Sequence, residues 1–359
     1  MAVHFHTLKV KEVRKETSDC VSLLFSIPPE LEEEFKFEQG QNITIRKMIN
    51  GEELRRSYSI CSAPYEKELR VAVKKVADGK FSTLANESIK AGDELELLPP
   101  TGRFNTKLNS VNSKKYIAFV AGSGITPVIS IIKTTLHTEP NSSFTLVFGN
   151  RSRSSIIFFE ELENLKNKYL QRFNLINILS REKMDTPLNS GRIDKEKLTD
   201  LLRMIKFEEM DEFFICGPEG MSFSIKDFLE KTGIENKKIH FELFTTPGEK
   251  KVLSLKPIAV SAGGPKTRVT VKLDGRSFDF DLPQNSDTSI LDAALQQGAD
   301  LPFACKGGVC CTCKAKLLEG EVEMEVNWGL EQEEVEQGYI LTCQSHPKTE
   351  RIVVDFDVK

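Results

Sequence analysis

The sequence predicts a multidomain chain: an antiparallel β-barrel, then a doubly wound α/β domain, then a small α+β domain. Three observations carry that order. Residues 7–104 read as short β runs separated by turn residues. From about residue 112 to 245, apolar strands alternate with helical patterns, the βαβ rhythm of a parallel sheet. In the C-terminal part, Cys305, Cys310 and Cys313 share one loop and are answered by a distant Cys343.

At 359 residues the chain is long enough for two to three cores, and 39% hydrophobic with 28% charged residues is an ordinary soluble composition. The N-terminus has no basic stretch leading into an apolar one, so no signal peptide is expected. The most apolar run, 116–132, is broken by Gly122, Gly124 and Pro127 and is too short to span a bilayer, so no membrane insertion is expected. Cys20, Cys61, Cys216 and Cys311 are scattered, which suits a reducing cytoplasm. No basic stripe argues for nucleic acid. The net charge of −4 is uneven: residues 266–359 carry 10 Lys and Arg against 17 Asp and Glu, a net −7, and the remainder is +3. An acidic C-terminal domain can steer onto a basic partner, although a solvated acidic face is the commoner use of such charge. The five histidines suggest no metal set, and neither a Ser–His–Asp order nor a Walker A motif is present.

The barrel strands are expected at 6–13, 20–27, 41–46, 57–62, 69–74 and 94–98. Among them lies Arg56-Ser57-Tyr58-Ser59-Ile60-Cys61-Ser62, an R-x-Y-S-x-x-S pattern. On a strand Arg56 and Tyr58 share a face, a phosphate clamp beside an aromatic surface, while Ser59 can hydrogen-bond a ring edge. Gly79-Lys80-Phe81-Ser82 precedes a short helix expected at 83–89, and free N–H groups at a helix start favour phosphate. Pro99-Pro100-Thr101-Gly102-Arg103-Phe104 closes the barrel.

Residues 115–121 form a continuous apolar run, as a parallel strand buried on both faces would. The run ends in Gly122-Ser123-Gly124-Ile125-Thr126-Pro127, and a helix is expected at 128–136. Strand, glycine turn and helix bring backbone N–H groups to a pyrophosphate, here as G-x-G-x-x-P rather than G-x-G-x-x-G. Strands at 144–148, 174–179 and 212–216 and helices at 156–168, 195–204 and 221–231 continue the alternation. The second strand runs into Asn150-Arg151-Ser152-Arg153, where an acid would select a ribose hydroxyl, and another strand ends in Ser180-Arg181-Glu182. Arginines there suit a ribose 2′-phosphate, though solvated loop arginines fit the sequence as well. Cys216-Gly217-Pro218 follows a further strand, and the segment finishes at His240-Phe241-Glu242-Leu243-Phe244.

Residues 246–265 read as a linker rich in Pro, Gly, Ser and Lys. A hairpin at 267–282 around Asp274-Gly275 and a helix opened by Ser289 precede the cysteine loop, and 331–336 is expected as a solvated acidic helix. The C-x4-C-x2-C…C spacing matches a 2Fe–2S cluster, with Gly307 and Gly308 supplying the sharp turn. A zinc site would favour paired C-x2-C knuckles, and a disulfide would favour an exported chain. Cys311 falls inside the x2 gap and should point away.

R-x-Y-S, G-x-x-S, P-x-G-x-F and C-G-P, taken in order, resemble the ferredoxin–NADP reductase family. The C-terminal pattern resembles a plant-type ferredoxin of β-grasp fold. The resemblance implies FAD, with Arg56 on its pyrophosphate, Tyr58 on the isoalloxazine, Ser59 near N5, and Val73, Lys74 and Gly79, Lys80, Phe81 and Ser82 around it. It implies NADPH rather than NADH, held by Gly122 to Pro127, Arg151, Ser180, Arg181, Gly217 and Pro218, with the Cys216 thiol beside the nicotinamide C4 and Phe244 near the flavin. Tyr58, Ser59 and Cys216 are then the catalytic set, and Cys305, Cys310, Cys313 and Cys343 the cluster ligands. Domain limits of 1–106, 107–245 and 266–359 follow. Within this build the chain looks most like the reductase subunits of ring-1,2-phenylacetyl-CoA epoxidases, which implies a multi-subunit di-iron oxygenase as electron acceptor. A reductase for another hydroxylase, desaturase or haem protein, and a redox sensor without turnover, fit the same motifs.

Overall fold

The computed structural model describes residues 4–244, 266–284 and 287–358. The expected linker, 246–265, lies outside the described residues. Two compact units emerge, one holding the barrel with the α/β domain and the other the C-terminal domain.

The barrel comprises β1 (His6–Thr17), β2 (Cys20–Ser26), β3 (Asn42–Ile49), β4 (Glu52–Ser59), β5 (Leu69–Lys74), α1 (Lys80–Glu87) and β6 (Glu94–Leu97). Its strands run in the order β4-β3-β6-β1-β2-β5. Just beyond β4, Ile60 bridges to Val71 and the Cys61 amide donates to the Arg70 carbonyl at 2.8 Å, which joins the two edges. Alternate residues point inward: Leu23, Ile43, Ile45, Val71 and Leu97 are fully buried. Helix α1 starts at Lys80, three residues before the expected start, because Gly79 rather than a later residue is its N-cap.

The α/β domain contains β7 (Lys115–Ala121), α2 (Ile125–Thr138), β8 (Ser143–Asn150), α3 (Phe159–Lys168), β9 (Phe173–Leu179), α4 (Lys195–Leu202), β10 (Glu212–Cys216), α5 (Glu219–Lys231) and β11 (Ile239–Glu242). All five strands are parallel, in the order β11-β10-β7-β8-β9. From β7 the chain goes to β8 on one side and returns to β10 on the other. That makes the β7–β10 border the switch point, where the strand C-termini open a crevice for a ligand. Helix α3 begins later than the pattern predicts, since Phe158 adopts a left-handed φ of 61°.

The C-terminal domain is a mixed sheet with one main helix. It comprises β12 (Lys266–Leu273), β13 (Arg276–Pro283), α6 (Ile290–Gln296), β14 (Lys314–Glu319), β15 (Val322–Met324), α7 (Gln332–Glu336), β16 (Tyr339–Leu341), β17 (Ser345–Pro347) and β18 (Arg351–Asp355). The order is β13-β12-β18-β14-β16, with β12 and β18 parallel, the β-grasp arrangement. Ser289 Oγ caps α6 by accepting from the Asp292 amide at 3.1 Å. The acidic helix α7 is not wholly solvated: Glu334 is buried and accepts from Lys314 Nζ at 3.1 Å.

Candidate functional site

On the flavin side, the structure joins two motifs that lie far apart in sequence. Tyr58 on β4 packs against Phe81 on α1, ring centroids 5.5 Å apart at 35°. Gly79 is required there, because a Cβ would come within 2.3 Å of Ser82 Oγ and 2.5 Å of Val76. The early start of α1 places Lys80, Phe81 and Ser82 in its first turn, where backbone donors lack intrahelical partners. Ser82 is buried, and its hydroxyl accepts from the Val76 amide and donates to the Gly79 carbonyl, so it shapes the turn. Arg56 is exposed and donates to the Arg55 carbonyl at 2.7 Å. The Val73 side chain is fully buried in the barrel core, and its carbonyl accepts from Asn86 Nδ2 at 3.0 Å. Lys74 stands 3.7 Å from Asp19.

At the switch point the turns after β7 and β10 touch. Gly122 has a φ of 55° and open space, so it is there for conformation. Gly124 is there for contact: a Cβ would sit 2.1 Å from the Cys216 carbonyl oxygen. Thr126 Oγ1 donates to the Ser123 carbonyl at 3.0 Å, and Ile125 and Pro127 are buried in α2. Cys216 is fully buried, which pushes its thiol far above the ordinary range and keeps it neutral. Its register partner on β11 is Glu242, whose Oε2 accepts from Ser59 Oγ at 3.3 Å. Barrel serine, carboxylate and thiol therefore converge. Sequence reasoning missed Glu242; the signal was the H-F-E-L-F segment, in which only Phe244 was singled out, and Phe244 is 43% exposed.

The ends of β8 and β9 meet as well. The Ser180 amide donates to the Asn150 carbonyl at 2.9 Å and the Arg181 amide to the Arg151 carbonyl at 2.8 Å. Arg151 and Arg181 are both exposed on these adjoining ends. Glu182 Oε1 accepts from the Arg153 amide at 3.0 Å, and the Arg153 guanidinium lies 4.6 Å over Phe159. Gly217 is tightly enclosed, since a Cβ would come within 2.4 Å of Met221.

In the C-terminal unit, Cys310, Cys313 and Cys343 are buried and Cys305 half-buried. They fall into two pairs. The neighbouring Cys305 thiol holds the Cys310 thiol down to about 5, and Cys310 in turn raises that of Cys305. The neighbouring Cys343 thiol, together with burial, raises that of Cys313. The Gly307 amide donates to Cys305 Sγ at 3.3 Å and the Cys305 amide to Cys310 Sγ at 3.5 Å, contacts that favour thiolates. Among the described residues no three His, Cys, Asp or Glu side chains are grouped as one metal ion would need. Two pairs of thiols suit two irons with two protein ligands each. The turn differs from expectation, because left-handed φ values fall on Lys306, Gly308 and Cys311 and not on Gly307. Gly308 also passes under Val326, whose carbonyl a Cβ would meet at 2.8 Å. Cys311 Sγ donates to the Gly329 carbonyl at 2.7 Å.

Barrel, switch-point crevice and cysteine loop together define a flavin- and iron–sulfur-dependent NAD(P)H oxidoreductase. Family models agree by domain: an oxidoreductase FAD-binding domain matches residues 7–106, an oxidoreductase NAD-binding domain 119–227, and a 2Fe-2S iron-sulfur cluster binding domain 271–348. The chain belongs to the family of a 1,2-phenylacetyl-CoA epoxidase subunit, being 48% identical to the Escherichia coli (strain K12) protein over 99% of this chain and 98% of that one. It is 33% identical to the ferredoxin reductase component of 3-ketosteroid-9-alpha-monooxygenase from Rhodococcus rhodochrous, over 97% of this chain and 96% of that one. Phthalate dioxygenase reductase shares the fold, at a TM-score of 0.58 and 24% identity over 98% of each chain. Among the described residues no helix is long and apolar enough to cross a membrane.

Proposed function

We propose that this chain carries electrons from NADPH, through FAD and a 2Fe–2S cluster, to a multi-subunit di-iron oxygenase that epoxidises the ring of phenylacetyl-CoA in the cytoplasm. The observation that carries the acceptor is the 48% identity along 99% of the chain to the epoxidase component, against 33% for the steroid monooxygenase reductase. When bound, FAD supplies acceptance of a hydride with release of single electrons, and the cluster takes electrons one at a time.

The chain's own residues position these groups. Arg56 would hold the FAD pyrophosphate together with the first turn of α1 at Gly79 to Ser82, and Tyr58, backed by Phe81, would pack on the ring system. The Ser59 hydroxyl, held by Glu242, would meet the ring edge, and Phe244 would lie near it. Gly122 to Pro127 would cradle the nucleotide pyrophosphate, with Gly217 and Pro218 closing the crevice. The neutral Cys216 thiol would lie beside the nicotinamide as a small wall that neither attacks nor protonates it. Arg151, Arg181 and Ser180 on the paired strand ends would take the 2′-phosphate, which favours NADPH. Cys305, Cys310, Cys313 and Cys343 would hold the cluster. Domain limits of 1–106, 107–245 and 266–359 fit this division, and eight free cysteines fit the cytoplasm.

Reconstitution tests the acceptor. The reductase with the oxygenase components, NADPH, oxygen and phenylacetyl-CoA should form epoxide, at a rate that falls as salt shortens the Debye length to about 8 Å, since the C-terminal domain carries −7. NADPH consumption without epoxide, while a haem or other hydroxylase partner does couple, would assign the chain to a different acceptor.

A further inference from the structure

Helix α2 starts at the glycine turn of the switch point and presents Ser130, Lys133 and His137 along one face, three and four residues apart. That face meets residues 62–66, the segment that starts at the last serine of the R-x-Y-S-x-x-S motif. Ser130 Oγ donates to the Ser62 carbonyl at 2.6 Å. Lys133 Nζ donates to Glu66 Oε2 at 2.8 Å and to Glu161 Oε1 at 2.9 Å. His137 stacks on Tyr65, centroids 4.1 Å apart at 25°. Glu66 is itself fixed, because its Oε2 accepts from the Ala63 amide at 2.6 Å. Apart from Ser62, the last residue of the R-x-Y-S-x-x-S motif, none of these residues belongs to a cofactor motif.

Ser130 is fully buried and Lys133 only 5% exposed. Withdrawing an ammonium from water is costly, and an apolar side chain of similar size would often serve stability as well. What the ion pair adds is register: an apolar face tolerates sliding, whereas an ammonium between two carboxylates has one place to be. The neighbourhood leaves room to slide, since a cavity of about 1220 Å³ is lined by Lys133, Glu66, Glu161, Arg14 and Arg70. None of Tyr58, Ser59, Gly122 to Pro127 or Cys216 lines it, although Ser62, Arg153 and Glu182 do.

We propose that Ser130, Lys133 and Glu66 form a bolt fixing the middle of α2 against the segment after the flavin-side strand, which makes Lys133 and Glu66 positioning residues for hydride transfer. The inference rests on the reading that flavin meets Ser59 and nicotinamide meets Cys216. Hydride transfer needs near-contact geometry, and a displacement of about 1 Å far from the reacting atoms can slow it about 100-fold.

The two carboxylates on Lys133 provide the test, because Glu66 lies on the barrel side whereas Glu161 sits on α3, in the same domain as Lys133. In the FAD- and cluster-loaded full chain, Glu66→Ala should slow flavin reduction at saturating NADPH by roughly 10- to 100-fold. The KM for NADPH and the FAD content should stay as in the wild type. Amide hydrogen exchange should accelerate within 62–66 and 130–137. Glu161→Ala should stay within about twofold of wild type, and Lys133→Arg should keep most of the rate. Equal losses from both glutamate variants, or a wild-type rate and exchange pattern in Glu66→Ala, would overturn the bolt. Failure of the wild-type chain itself to reduce FAD with NADPH would instead overturn the parent reading.

Discussion

Gly124→Ala puts the switch-point geometry to a quantitative test. A methyl group at residue 124 would lie 2.1 Å from the Cys216 carbonyl oxygen, 2.5 Å from its carbon and 3.0 Å from the Gly217 nitrogen. Ordinary contact begins near 3.4 Å, so the two turns must part by about 1.3 Å. Every atom in the way is backbone, tied down by the Val120–Cys216 pairing of β7 with β10, and no side chain can swing aside. Overpacking of this kind costs about 1–3 kcal/mol of stability, which a domain of this size survives. The functional cost is larger, because the displaced turns flank the crevice, and about 1 Å of misplacement slows a positioned reaction about 100-fold. Stopped-flow reduction of the flavin by NADPH should therefore slow by about that factor in Gly124→Ala, with FAD content and cluster absorbance intact. Gly220→Ala in α5, where a Cβ meets open space, is the matched control and should leave the rate unchanged while adding about 0.5–1 kcal/mol of stability. A wild-type rate in Gly124→Ala, or an equal loss in Gly220→Ala, would refute the crevice assignment.

Three further outcomes are expected. Arg181→Ala removes one charge-assisted contact worth about 1.5–3 kcal/mol and should raise the KM for NADPH roughly tenfold or more while barely changing that for NADH; equal losses would sink the 2′-phosphate role. Cys311→Ser should leave the cluster absorbance unchanged, because its thiol faces Gly329, whereas Cys310→Ser should abolish it. Burial raises the Glu139 carboxyl, but hydrogen bonds from the Asn109 amide, Ser142, Asn112 and Tyr116 outweigh it and hold the group below 4.5. A depressed carboxyl stabilises the fold above its unfolded value and loses that contribution as pH falls through the folded one. Glu139→Gln should thus cost about 1–3 kcal/mol at pH 7 and flatten the fall of Tm with acid below pH 4.5; an unchanged acid slope would contradict this.

What the sequence showed was local. The 115–121 run states its geometry within a dozen residues and the structure builds that strand, whereas the glycine turn is shorter than expected, ending at Gly124 with the helix starting at Ile125 rather than 128. Contacts that join distant segments were not legible. Ser59 and Glu242 are 183 positions apart, and nothing in either neighbourhood names the other. Lys133 and Glu66 are likewise brought together only by the packing of α2 on the barrel. The alternation of β5 does send the Val73 side chain into the core, a direction that the resemblance alone did not state. The cysteine turn was misassigned, since glycine's freedom at Gly307 goes unused while Lys306 and Cys311 take the left-handed angles.

Anaerobic mixing of the loaded protein with NADPH, with flavin and cluster absorbance followed together, tests the central claim most directly. The account predicts that the flavin bleaches first and the cluster second, and that Cys343→Ser stops the sequence after the flavin. A cluster that stays oxidised beside fully reduced flavin, or one that NADPH reduces in protein stripped of FAD, would contradict it.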